Sequence, residues 1–221
     1  MRKLISCFIL LALAVNAWSY NERGNSGFTL ICDDPQDNKF FDAWEAEHRY
    51  GMIPDYPEVT SECYTTSQCL ASALVVARKF LKRLPEKTDI RDYAFYRISN
   101  FMAEVAIKDN IVIIPVDDIG TGMIPKNCTL RQTIVQKEPI FEEDRRYIIS
   151  NDYWKLLTTE QRGVGIVHEI LYGYYSILKI KPINSEKVRY LNALIISGKV
   201  EEMSPASFQK VMNQVYSNDG K

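Results

Sequence analysis

The stretch Gly165-Ile166-Val167-His168-Glu169-Ile170-Leu171-Tyr172 holds half of a zinc-hydrolase motif. In His-Glu-x-x-His, two imidazoles stand one helical turn apart and clamp Zn²⁺, while the glutamate acts as general base. Here Tyr172 stands where the second histidine belongs, and the only other histidine, His48, lies far upstream. A neutral imidazole binds zinc at ordinary pH, whereas a phenol with a pKa near ~10 must first lose its proton.

Two chemistries follow from these residues. In the first, His168, Tyr172 and a downstream carboxylate such as Glu186 ligate zinc and Glu169 is the base of a peptidase-like, metal-dependent hydrolase. In the second, no cofactor is bound. His168 and Glu169 then belong to a structural polar cluster completed by Arg189 or Asn192 of the next helix, and the motif marks a zincin-like helix whose metal site is lost or altered. The second is preferred, because phenolate is a poor substitute for imidazole. It predicts a buried contact from Glu169 to Arg189 or Asn192, a hydrogen-bonded His168, and Tyr172 packed one turn below.

The elements that must position these residues are legible in the pattern. Around His168, the residues Val164, Ile166, Val167, Ile170, Leu171 and Tyr174 make the helix apolar nearly all round, which implies deep burial. Thr158 with Gln161 reads as the capping box that opens it. Helices are expected from Asn184 to Ser197, with Val188, Leu191 and Ile195 inward, and from Ser204 to Tyr216. Upstream, Phe28–Cys32 reads as a strand ended by Asp33-Asp34-Pro35. Phe40–Tyr50 reads as a helix with Phe41, Ala43 and Trp44 on one side, before Pro54 and Pro57 break regular structure.

Ser67–Leu84 is amphipathic, with Leu70, Leu74, Val75, Phe80 and Leu81 as its apolar set, and Asp89 is expected to cap a helix running to Ala106. Strands are expected at Ile111–Val116, Leu130–Gln136 and Arg146–Ile149, with a Gly- and Pro-containing loop from Asp117 to Asn127 and a short helix after Ser150-Asn151. The fold class is α+β, a mostly helical single domain with a small sheet.

Arg2 and Lys3 followed by apolar Leu4–Val15 and Ala17-Trp18-Ser19 make a signal peptide over 1–19, cleaved near Ser19–Tyr20. A lipobox reading of Leu4-Ile5-Ser6-Cys7 fails because Cys7 precedes the apolar run. The roughly 200 residues from Tyr20 on suffice for one domain with a sizeable core. They are expected in the periplasm or outside the cell, with no stable membrane insertion. Cys32, Cys63, Cys69 and Cys128 remain after the leader, and an even count in an oxidising compartment favours two disulfides in one of three connectivities. Cys63 and Cys69 close a short loop, which leaves Cys32 and Cys128 as a long-range pair.

With 27 basic and 28 acidic residues and no basic stripe, nucleic acid is excluded as the expected partner. No Gly-x-Ser-x-Gly elbow occurs, the even cysteine count argues against a free catalytic thiol, and neither Asp117-Asp118 nor Glu142-Glu143-Asp144 has Ca²⁺-loop spacing.

Several segments together resemble a family of uncharacterised exported proteins of predatory and related Gram-negative bacteria. They are Gly24-Asn25-Ser26-Gly27 with Leu30-Ile31-Cys32, Phe41-Asp42-Ala43-Trp44-Glu45-Ala46 and Ile124-Pro125-Lys126-Asn127-Cys128-Thr129-Leu130-Arg131-Gln132. Arg146-Tyr147-Ile148-Ile149, Asp152-Tyr153-Trp154, the His168–Tyr172 segment and Arg189-Tyr190-Leu191-Asn192-Ala193-Leu194 complete the set. Ser26 stands where the family usually has a second Gly, and Tyr172-Gly173-Tyr174 where it commonly has Tyr-Arg-Glu. The resemblance implies export and a shared fold and brings no established activity. The expectation is a non-catalytic factor that binds another macromolecule, most simply a protein, with contact at the loop Asp117–Lys126.

Overall fold

The apolar helix that carries His168 is the centre of the structure. In the computed structural model, which describes residues 27–58, 63–111, 113, 124–141, 143–180 and 185–217, it runs as α5 from Thr159 to Ile177, and every residue from Gln161 to Tyr175 is buried. Thr158 accepts a hydrogen bond from the Gln161 amide, as expected of a cap. The Gln161 side chain does not close the box, however. It accepts from the Phe40 amide at 2.8 Å and donates to the Tyr56 hydroxyl at 2.6 Å, so a local capping residue ties α5 to two distant segments.

Glycines let the neighbours of α5 come close. A Cβ on Gly163 would meet Val76 Cγ1 at 2.5 Å, and one on Gly165 would meet Phe40 Cε2 at 2.8 Å. Against Gly163 lies α2, Thr66–Leu81, whose buried face is Leu70, Ala73, Val76, Ala77, Phe80 and Leu81. This corrects the expected apolar set. Val75 points outward, because Val76 takes the place against Gly163 and the residue before it lies about 100° round the helix. The next helix, α3, spans Asp89–Glu104 and is preceded by Thr88 at the cap position, where Asp89 was expected.

The sheet is mixed, ordered β2-β1-β4-β5-β3. Its members are β1 (Gly27–Cys32), β2 (Lys39–Phe40), β3 (Val105–Lys108), β4 (Cys128–Gln136) and β5 (Tyr147–Ser150). All neighbours are antiparallel except β3 and β5, which run parallel. The strand of this region is not the expected Ile111–Val116 run but β3, Val105–Lys108, which starts directly where α3 ends. Ile111 and Ile113 belong to no element, and the rest of that run lies outside the described residues. Helix periodicity had carried α3 on to Ala106, but Val105 takes extended backbone and pairs with Tyr147.

Helix α1 (Phe41–His48) follows β2 without a break. Short α4 (Asn151–Trp154), α6 (Glu186–Ile196) and α7 (Pro205–Val215) complete the α+β fold. The inward stripe of α6, Val188, Leu191 and Ile195, is fully buried as its spacing predicts. Both disulfides form in the expected pairing. Cys32–Cys128 joins the facing ends of β1 and β4, and Cys63–Cys69 closes the loop leading into α2. No helix of the described residues is long and apolar enough to cross a membrane. The leader and most of the Asp117–Asn127 loop lie outside the described residues.

Candidate functional site

Two carboxylates on α1 decide how the His168 region is built. Asp42 and Glu45 are three residues apart, so they share one helix face, and that face is buried rather than solvated. Across from it, Arg189 and Asn192 are likewise three apart on α6. Asp42 Oδ2 accepts from Asn192 Nδ2 at 2.7 Å and lies 2.7 Å from His168 Nδ1. Glu45 Oε2 accepts from Arg189 Nε at 2.5 Å, and the guanidinium also donates to Ser185 Oγ and covers the Phe41 ring. Asn192 reaches the Val164 carbonyl as well, so α1, α5 and α6 are joined at one polar centre.

The expected contact from Glu169 to Arg189 or Asn192 is therefore replaced. Those two side chains bond to Asp42, Glu45, Ser185 and Val164, while Glu169 faces the sheet. A Cβ on Gly27 would lie 2.7 Å from Glu169 Oε1 and 2.9 Å from Ile134 Cβ. The reason is helix geometry. Successive residues point about 100° apart, so His168 and Glu169 cannot both address α6. Glycine at position 27 is what allows the carboxylate to sit against the first residue of β1.

Tyr172, one turn below His168, is buried with its ring parallel to the imidazole at 6.4 Å and edge-on to Tyr175. Glu186 is elsewhere in character. Its side chain is 35% exposed and ion-paired to Arg49, which also holds Glu45. His168 is fully buried, and the acidic groups that weigh on it are Asp42 and Glu169. Among the described residues, no group of three His, Cys, Asp or Glu side chains is placed to hold a metal ion. Of the zinc set His168–Tyr172–Glu186, the acid is turned to Arg49, which fits a ligand poorly, whereas an Nδ1 held by a carboxylate is an arrangement that zinc-binding imidazoles share.

Burial alone would push the His168 pKa down from 6.5, but the charge of Asp42 and its hydrogen bond outweigh that and hold it above. Asp42, Glu169, Arg189, Asn192 and Tyr172 all bear on the ring. A histidine raised in the folded state contributes its full stabilisation below the unfolded value and loses it as pH rises through the folded one. The melting temperature should therefore fall as pH rises from the ordinary histidine value of 6.5 through the raised folded one, and the fall should shrink in His168→Gln. Equal slopes for the two proteins in calorimetry at matched ionic strength would remove His168 as the source. Glu45 acts in the same sense, since burial raises its pKa against the pull of Arg189.

Asp42 and Glu45 are the residues that sequence reasoning missed. The signal available was charge balance. Arg189 and His168 were both placed in apolar helices, and buried cations require carboxylates. Chemically, the centre orients a protonatable imidazole between an anion and an amide, but no atom of His168 or Asn192 is open to solvent. No family model, curated protein or solved structure matches the chain.

Proposed function

We propose that this chain is an exported, non-catalytic factor that binds another protein, and that the His168 cluster holds α1, α5 and α6 together rather than turning over a substrate. The observation that carries this reading is complete burial of His168 and Glu169, with Asp42 on the imidazole. Two disulfides support export, since such bonds persist in oxidising compartments.

A surface suited to a protein partner lies on the far side of α2. A groove of 380 Å³ between α2 and α3 has Leu74, Val75, Ile98 and Met102 as its floor and Arg78, Lys79 and Lys82 along its rim. Arg78 donates to Ser99 Oγ and Lys79 to the Glu58 carbonyl. No described carboxylate ion-pairs with any of the three rim cations. Apolar floor and unpaired cationic rim complement an acidic amphipathic helix, whose apolar face would lie on Val75 and Met102 and whose carboxylates would meet the rim.

The test is fluorescence anisotropy with a labelled Glu- and Leu-patterned helical peptide. Wild type should bind it in a salt-sensitive way, and the triple variant Arg78→Glu, Lys79→Glu, Lys82→Glu should lose at least about tenfold in affinity, or ~1.4 kcal/mol. Equal binding by both proteins, or binding only to anionic lipid vesicles, would overturn the assignment of this surface. Elemental analysis of the purified chain tests the absence of catalysis. Stoichiometric zinc that disappears in His168→Ala would revive the metal-dependent hydrolase instead.

A further inference from the structure

The two disulfides sit in opposite electrostatic surroundings. Around Cys32–Cys128 the neighbours are acceptors. Cys32 Sγ is 3.6 Å from the Asp37 carbonyl and Cys128 Sγ is 3.7 Å from Asn127 Oδ1. A thiolate there would face oxygen lone pairs, so opening that bond gains nothing from its environment.

Cys63 meets a cation. Arg162, in the first turns of α5, donates from Nη1 to Cys63 Sγ at 3.5 Å. Its other bonds go to the carbonyls of Trp154 and Lys155, and its guanidinium covers the Trp154 ring. The side chain is 7% exposed and makes no ion pair with any described carboxylate. Glu160 acts on it only as a weaker opposing charge, and burial lowers its pKa. A buried guanidinium without a counter-ion is costly. Among the described residues, the group that this guanidinium bonds and that can become an anion is Cys63.

A second field adds to the first. Cys63 lies just ahead of α2, whose N-cap is Thr65. The amides of Tyr64 and Thr65 are tied to Gln68 Oε1, which fixes the loop over the helix start. Helix N-termini and neighbouring cations are the two features that lower thiol pKa values. Both cysteines are half-buried residues.

We propose that Cys63–Cys69 is an exchange-active disulfide that oxidises thiols of another polypeptide once per molecule, without turnover, and that Arg162 is the residue that poises it. In the first step a substrate thiolate attacks Cys69 Sγ. The new S–S bond joins substrate to Cys69, and the electron pair of the old bond leaves on Cys63 Sγ, which becomes the thiolate held by Arg162. A second substrate thiolate then attacks the substrate sulfur of this mixed disulfide and expels Cys69, which takes up a proton. Two electrons have passed from a substrate dithiol to the protein, and the substrate now carries the disulfide. Cys63 is the leaving group because stabilisation of the departing thiolate speeds exchange and raises the potential of the pair.

The experiment is a redox titration of the full chain in glutathione buffers, acid-quenched, alkylated and read by peptide mass spectrometry at both pairs. Cys63–Cys69 should open at a reduced-to-oxidised glutathione balance at least tenfold milder than Cys32–Cys128, about 30 mV for this two-electron couple. Arg162→Gln should shift the first pair at least tenfold towards the second and leave the second unmoved. Arg162 also holds two carbonyls, so a parallel measurement keeps it intact. In Cys69→Ser, the pH profile of Cys63 alkylation should have its midpoint a unit or more below the ordinary thiol value of ~8.5. Common opening of both pairs at one glutathione balance, or a Cys63 midpoint at or above the ordinary value, would overturn the proposal.

Discussion

Asp42→Ala should destabilise the protein by about 3–5 kcal/mol, the cost of removing one member of a buried charge pair. At roughly 2–4 °C per kcal/mol for a chain of this size, the melting temperature should drop by about 6–20 °C. The size of the effect comes from what is stranded. Asp42 Oδ2 serves both His168 and Asn192, which belong to different helices and are themselves without solvent contact. Removing the carboxylate leaves an imidazole and an amide in a medium that offers no replacement. The network is also incompletely satisfied. Asp42 Oδ1, Asn192 Oδ1 and Arg189 Nη2 are buried and find no hydrogen-bond partner among the described residues. Its worth therefore lies in fixing how α1, α5 and α6 dock more than in net stabilisation. Asp42→Leu combined with His168→Phe should accordingly recover part of the loss, because replacing both partners removes the stranded group. An Asp42→Ala protein that melts like wild type would show that the centre is not needed for the fold.

Opening the Cys32–Cys128 bond should have an effect of similar size by a different route. The bond spans 96 residues, and in the chain-entropy model a loop of that order stabilises by about 4–5 kcal/mol through the unfolded state. Cys32→Ser with Cys128→Ser should lower the denaturant midpoint accordingly. Cys63→Ser with Cys69→Ser, which opens a span of six residues, should cost only about 2 kcal/mol. Paired urea titrations decide the ranking. Loss of the short bridge proving more damaging than loss of the long one would contradict the entropic account and imply that the loop before α2 organises the helix itself.

What was readable from the chain, and what was not, separates along physical lines. Helices α5 and α6, and the strands β1, β4 and β5, follow from periodicity, because a continuous apolar surface of given period leaves one way to bury it. The cysteine pairing follows almost from counting, since a six-residue spacing favours local closure. The pattern fails where two elements compete over a few residues. Val105–Ile107 continues the apolar stripe of α3 as well as it suits a strand, and only the free edge beside Tyr147–Ile149 settles the matter. Val75 is as apolar as Val76, and only the glycine of α5 determines which of them faces inward.

The polar centre shows the same division most clearly. The residues His168 and Glu169 in an apolar helix were enough to require burial and therefore partners, and the absence of a second histidine one turn on was enough to make a zinc pair unfavourable. Which partners they meet was a tertiary decision. Asp42 and Glu45 look like the solvated face of a short helix, because carboxylates are rarely buried and local sequence carries no sign of what lies opposite. Once α1 packs on α5 and α6, that face is turned inward, and Arg189, Asn192 and His168 supply the charge and hydrogen bonds that make its burial tolerable. Local pattern reports what a residue prefers on average. Only the packed structure, where desolvation is offset by a specific counter-charge, determines where an exception is allowed.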